Sequence, residues 1–274
     1  MKGLALMALL FASTANAQQT VFFSTGNPDG RVGMASRPAS ALASAREAAD
    51  DFLLLNPTSI TGASFYGLLA GGASAADISQ VTIELYRVFP LDSDNPPSGS
   101  VATRVNSPSD VVFDSRTSAT GLTFSTSALG SFSVANSVVN GILPAPNSLT
   151  GGEGPVTGME VSFAVNFLTP FVLPADHYFF VPQVTLTNGT FLWLSASRPI
   201  GASGTPFTPD LQTWMRSGEL APDWLRVGTD IIGGQSTFNG AFSLSTVVTP
   251  EPSVLLLFGS GLLLIGVAAK TSRW

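Results

Sequence analysis

Alternation with a period of two runs through the middle of this chain. In residues 161–167 (Val-Ser-Phe-Ala-Val-Asn-Phe) the large apolar side chains fall two apart, as a strand with one buried face requires. Residues 81–89 set Val81, Ile83 and Leu85 against polar or amphipathic neighbours, and Pro90 stops the run. Further strands are predicted at 60–69, 122–126, 131–139 and 238–248, with a short one starting at Val21. The apolar block 52–55 reads as a buried strand ended by Asn56-Pro57. Residues 177–187 and 190–196 are both β-rich and are joined by Asn188-Gly189. That spacing predicts a hairpin, because Asn and Gly tolerate the positive φ of a type I′ turn.

The connections are rich in Pro, Gly, Asn and Ser. Residues 90–108 and 144–158 read as long surface loops, and 197–230 is loop-rich. Residues 40–51 (SALASAREAADD) hold good helix formers, yet they enter 52–55 without a turn signal, so helix and strand both stay open there. Roughly ten strands with little helix predict an all-β fold, an antiparallel β-sandwich that is jelly-roll-like rather than immunoglobulin-like. It would occupy residues 18–248 as an ectodomain, in one sandwich or two small ones.

The ends of the chain have a different chemistry. Lys2, the apolar stretch 3–12 and the small-x-small sequence Ala15-Asn16-Ala17 form a secretory signal peptide over 1–17, with cleavage leaving Gln18 first. At the other end, Pro250-Glu251-Pro252-Ser253 precedes an uncharged run, 254–269, and a short tail with Lys270 and Arg273. The two prolines make a stiff elbow that no helix can cross unbroken. The run is rich in Leu and Gly and somewhat shorter than the roughly 20 residues of a comfortable transmembrane helix.

The tripeptide Pro250-Glu251-Pro252, the following Ser253, the Leu-rich start and the Gly259-Ser260-Gly261 centre resemble the PEP-CTERM sorting signal of Gram-negative bacteria. Only two basic residues stand where that family usually has an arginine cluster. The resemblance implies a single C-terminal transmembrane helix within 249–274. It also implies an exosortase-type membrane protease as partner, and an inner-membrane intermediate on the way to the cell surface or extracellular matrix. A role with exopolysaccharide or biofilm is implied as well. A plain anchor that is never removed is the alternative. Segments such as Asn27-Pro28-Asp29-Gly30-Arg31 and Ala175-Asp176-His177-Tyr178 look like those of ectodomains carrying this tail, which implies no activity.

Composition narrows the partners. The chain has a net charge of −6, and between the signal peptide and the tail it contains arginine but no lysine. An acidic domain of this kind is a poor match for nucleic acid, whose phosphates demand a basic footprint. It is equally poor for anionic lipid surfaces. The chain has no cysteine, so neither disulfides nor thiolate chemistry are open to it.

Candidate chemistry is sparse. His177 is the one histidine, and no G-x-S-x-G elbow lies in the ectodomain to pair with it as a hydrolase. A structural, hydrogen-bonded histidine is the simpler reading, and the chain is expected to be no enzyme. Asp92-Ser93-Asp94-Asn95 and the cluster Glu47, Asp50 and Asp51 offer oxygen ligands that could suit a structural calcium, but without EF-hand spacing; no other cofactor or metal is expected. Trp193 falls mid-strand, which favours the core. Trp214 and Trp224 lie in loop-like sequence near Arg216, Asp223 and Arg226. They could form the stacking platform of a carbohydrate-binding module, helped by Tyr178, or they could pin a long loop to the sandwich.

Overall fold

The computed structural model describes residues 18–40, 43–96, 98–142, 149–198, 211–218, 220–234 and 237–248. Ala15 and Ala17 of the expected signal peptide, the Pro250-Glu251-Pro252 motif and the segment 254–269 lie outside the described residues. Among the described residues no helix is long and apolar enough to cross a membrane. Val21–Thr246 form one compact unit. Of the other unit only residues 18–20 and 247–248 are described, as strand.

The strands in chain order are β1 (Gln18–Ser24), β2 (Pro28–Ala35), β3 (Arg46–Leu53), β4 (Thr58–Ala70) and β5 (Ile78–Arg87). There follow β6 (Asp114–Thr117), β7 (Leu122–Val134), β8 (Asn136–Val138), β9 (Val156–Leu173) and β10 (His177–Leu186). The last are β11 (Thr190–Ala196), β12 (Trp214–Ser217), β13 (Leu225–Arg226), β14 (Asn239–Gly240) and β15 (Phe242–Val248). Helical structure among the described residues is confined to short turns at Ala75–Asp77 and Val227–Ile232. The protein is all-β.

These strands form two sheets. A six-stranded sheet has the order β13-β12-β3-β10-β5-β6. A nine-stranded sheet runs β1-β15-β4-β11-β2-β8, with β9 and then β7 added on the other edge of β4 and β14 on β11. Among the pairings with a described register, only that of β2 with β8 is parallel, and the others are antiparallel. The sheets face each other across a shared aromatic core, as in a β-sandwich. Phe180 of the smaller sheet stacks on Phe242 of the larger at 4.7 Å between centroids, and Phe65 stacks on Phe163 at 4.5 Å. The chain has no cysteine for disulfides, and burial of these rings contributes roughly 1.5–3 kcal/mol for each large side chain. Trp193 is in this core, as its mid-strand position predicts, and its Nε1 donates to the Ala241 carbonyl at 3.1 Å. The rings pack directly on backbone: a Cβ on Gly67 would overlap Phe191, and one on Gly240 would overlap Trp193.

Two expectations are corrected, and one open reading is decided. Residues 46–53, where helix and strand both stayed open, are strand. β3 pairs with β10 on one side (Phe52 opposite Tyr178) and β12 on the other (Ala49 opposite Trp214). Two ladders outweigh the modest helix preference of its Ala and Glu residues. The predicted hairpin at Asn188-Gly189 does not exist as a hairpin. Gly189 does take positive φ (73°), but β10 pairs with β3 and β5, whereas β11 pairs with β2, β4 and β14. The turn is a corner that carries the chain from one sheet to the other. The loop-like sequence at Trp214 is strand β12, and the loop-rich span 197–230 also contains β13.

Candidate functional site

The outer face of the six-stranded sheet holds the densest polar chemistry among the described residues. Alternation along β3 divides the acidic cluster proposed from sequence. Ala48, Asp50 and Phe52 share the inward face, while Glu47, Ala49 and Asp51 face outward. Asp50 accepts from Thr213 Oγ1 at 3.3 Å. Asp51 meets His177 Nε2 at 2.5 Å and accepts from the Leu211 backbone N–H at 3.2 Å. His177 is thereby a partner of a buried carboxylate at the start of β10.

Glu47 belongs to a second group with Glu84, Tyr86, Gln183 and Arg216. Arg216 pairs with Glu47 through Nε, and its Nη2 donates to Tyr86 Oη at 2.9 Å. Tyr86 Oη lies 3.1 Å from both Glu47 Oε1 and Glu84 Oε2. A phenol carries one proton and can donate to one of these carboxyls only. The two carboxyls therefore compete for that proton; burial, and then the negative charge of Glu47, push the Glu84 pKa up to about 7. Gln183 Nε2 also donates to Glu84, at 2.8 Å. The same burial raises Tyr86 far above the ordinary phenol range, so it stays neutral.

Trp224 closes this group and pins the long loop that follows Pro90. Its ring meets Tyr86 edge-on at 5.4 Å, Arg216 lies over it at 4.4 Å, and its Nε1 donates to the Ser109 carbonyl at 3.0 Å. Arg216 Nη1 reaches the Asp110 carbonyl at 3.3 Å. Beside it, buried Arg104 pairs with buried Asp223 at 2.8 Å, and Asp223 also accepts from the Ser98 backbone N–H at 3.2 Å.

The sequence-derived candidates therefore have the following places. Trp214 and Trp224 are 1% and 0% exposed. The expectation of a surface stacking platform fails for these buried indoles; Trp224 is enclosed by Tyr86, Arg216 and the loop residue Ser109, so the loop-pinning reading describes it. Trp214 borders a cavity of about 320 Å³ with Gln212 and Arg226, and its Nε1 makes no hydrogen bond among the described residues. Tyr178 is buried in the shared core and donates to the Pro174 carbonyl at 3.1 Å. Asp92 is bound by Arg87, and the backbone N–H groups of Asp94 and Asn95 donate to Asp110 at 3.2 and 3.0 Å. No grouping of three or more His, Asp or Glu side chains suited to a metal occurs among the described residues. Gln18 opens β1.

Sequence reasoning missed Glu84, Tyr86, Arg104 and Asp223 as a connected set. The available signal was the polar phase of 81–89, where residues 82, 84 and 86 must share a face. No protein-family model, curated protein or solved structure matches the chain.

Proposed function

We propose that this is an exported, non-enzymatic surface or extracellular-matrix protein, sorted by a Pro-Glu-Pro tail and an exosortase-type protease. Its jelly-roll-like all-β ectodomain is displayed outside the cell in association with exopolysaccharide or biofilm. The observation that carries this reading is the pairing of two unlike hydrophobic ends in one chain. One ends in Ala15-Asn16-Ala17, and the other opens with Pro250-Glu251-Pro252 before an uncharged apolar run, 254–269, that we read as a transmembrane segment. The segment between them lacks cysteine and lysine and is acidic, which suits a displayed domain better than one that binds nucleic acid or anionic lipid.

The non-enzymatic part of the reading is supported by how the outer-face groups are used. Glu47 is engaged by Arg216, Asp51 by His177, and Asp223 by Arg104. The test is to replace Pro250, Glu251 and Pro252 together by alanine in a host that encodes an exosortase. The variant should stay with the inner membrane while the unmodified chain reaches the surface fraction. Equal distribution of the two proteins would sink the proposal.

A further inference from the structure

Arg37 and Arg46 face each other across an isolated antiparallel bridge and exchange backbone hydrogen bonds of 2.8 and 2.9 Å. Their guanidinium groups fare differently. Arg46 is almost fully buried and satisfied by neutral partners: the Val139 and Ala45 carbonyls and the Ser44 hydroxyl. The Arg37 side chain makes no hydrogen bond or ion pair among the described residues, and its Nε is buried without a partner. Burial and the neighbouring Arg46 charge both lower its hold on its proton, yet arginine is basic enough to remain a cation. Nearby carboxylates are committed elsewhere. Glu153 accepts the backbone N–H groups of Val139, Asn140 and Gly141 at 2.9, 2.7 and 2.6 Å. Asp77 accepts from Ser74 and Thr187. Arg37 is only half-buried, so the accessible part of its guanidinium is a cation with no carboxylate partner among the described residues.

Arg37 lines a cleft of about 540 Å³ at the corner where β10 passes into β11. Ser40, Asn140, Thr187, Asn188 and Thr190 supply hydroxyl and amide groups to its walls. We propose that this cleft binds a carboxylate-bearing sugar, one hexuronate residue of an acidic polysaccharide, with Arg37 taking the carboxylate. A planar guanidinium matches a carboxylate in a two-point contact, and a rim of hydroxyls and amides suits the ring hydroxyls of the same sugar. The volume falls within the usual range for small-ligand sites. Phe191 is the aromatic residue in the wall and is 1% exposed, so capture there is ionic and hydrogen-bonded rather than by ring stacking. This gives the polysaccharide association proposed above a chemical class, and it does not depend on how the tail is processed.

The test is calorimetric titration of the full-length chain with trigalacturonate at low ionic strength. Binding should be measurable, should weaken as salt is added, and should fall about tenfold or more with Arg37→Gln, the loss expected for a charge-assisted contact. The same trisaccharide with its carboxyls reduced to alcohols should not bind. Equal binding by Arg37→Gln, or by the reduced sugar, would overturn the assignment, as would no binding by the folded chain. Equal affinity for inorganic sulfate or for an oligo-aspartate peptide would reject the sugar as ligand. Should Arg37→Gln fail to fold, the comparison of acidic and reduced sugar on the unmodified chain decides alone. The tail does not enter this measurement, so its outcome is separate from that of the sorting experiment.

Discussion

The Arg216 guanidinium lies over the Trp224 ring, 4.4 Å from its centroid, so the protein's own cation occupies an indole face that a stacking ligand would need. The arrangement makes Trp224 a fastener. It joins β12, the end of β5 and the loop after Pro90 in one contact, with Ser109 holding its N–H. Trp224→Ala should therefore cost about 3–5 kcal/mol of unfolding free energy, the usual loss for a buried tryptophan. Denaturant unfolding measures it, and a loss under about 1 kcal/mol would show that the loop is anchored elsewhere.

Glu84 makes stability depend on pH in an unusual direction. Its pKa in the folded chain is pushed up to about 7 from an ordinary value of 4.5, first by burial and then by Glu47, with Tyr86 and Arg216 opposing. The folded state thus binds this proton more tightly than the unfolded state. The stabilising contribution is complete below about pH 4.5 and is lost as pH rises through about 7. The amount is on the order of 1–3 kcal/mol. Thermal unfolding between pH 5 and 8 should show stability falling with pH, and Glu84→Gln should flatten that part of the profile. An unchanged slope in the variant would assign the effect to another group.

The Arg104–Asp223 pair is buried on both sides, with side chains 2% and 0% exposed. Removing one partner leaves a buried charge, so Asp223→Ala should destabilise by about 3–5 kcal/mol. Replacing both with apolar residues, as in Arg104→Met with Asp223→Leu, should recover much of that loss. If the double variant is no better than the single one, the hydrogen bonds from Ser98 to Asp223 matter more than charge pairing.

Gly240 tests the close approach of backbone to ring. A Cβ there would overlap the Trp193 indole, which is locked by its bond to the Ala241 carbonyl. Gly240→Ala should cost about 1–3 kcal/mol and perturb the near-ultraviolet tryptophan signal. An unaltered spectrum and stability would mean that the indole shifts freely.

How far the fold could be read from sequence depended on where pairing was local. The runs around 81–89 and 161–167 are β5 and the middle of β9, because period-two alternation reports a half-buried strand directly. β9 continues past Pro170 because β7 pairs no further along it than Phe167, and its register with β4 shifts between Ile60 and Gly62. The missing proline N–H therefore breaks no regular ladder. The turn at Asn188-Gly189 was legible as a turn, but which sheet each flanking strand joins is set by partners distant in the chain, such as Leu53 opposite His177 and Ala35 opposite Leu192. The same holds for the polar site. Glu47, Glu84 and Arg216 are ordinary surface residues by composition, and the charge coupling between them exists only once β3, β5 and β12 lie in one sheet.

The sorting proposal can be tested on the molecule itself. Intact-mass measurement of the surface form from an exosortase-containing host should give a chain that begins at Gln18 and lacks the residues after about Pro252, as the family resemblance implies. A surface form whose mass still includes Trp274 would contradict it.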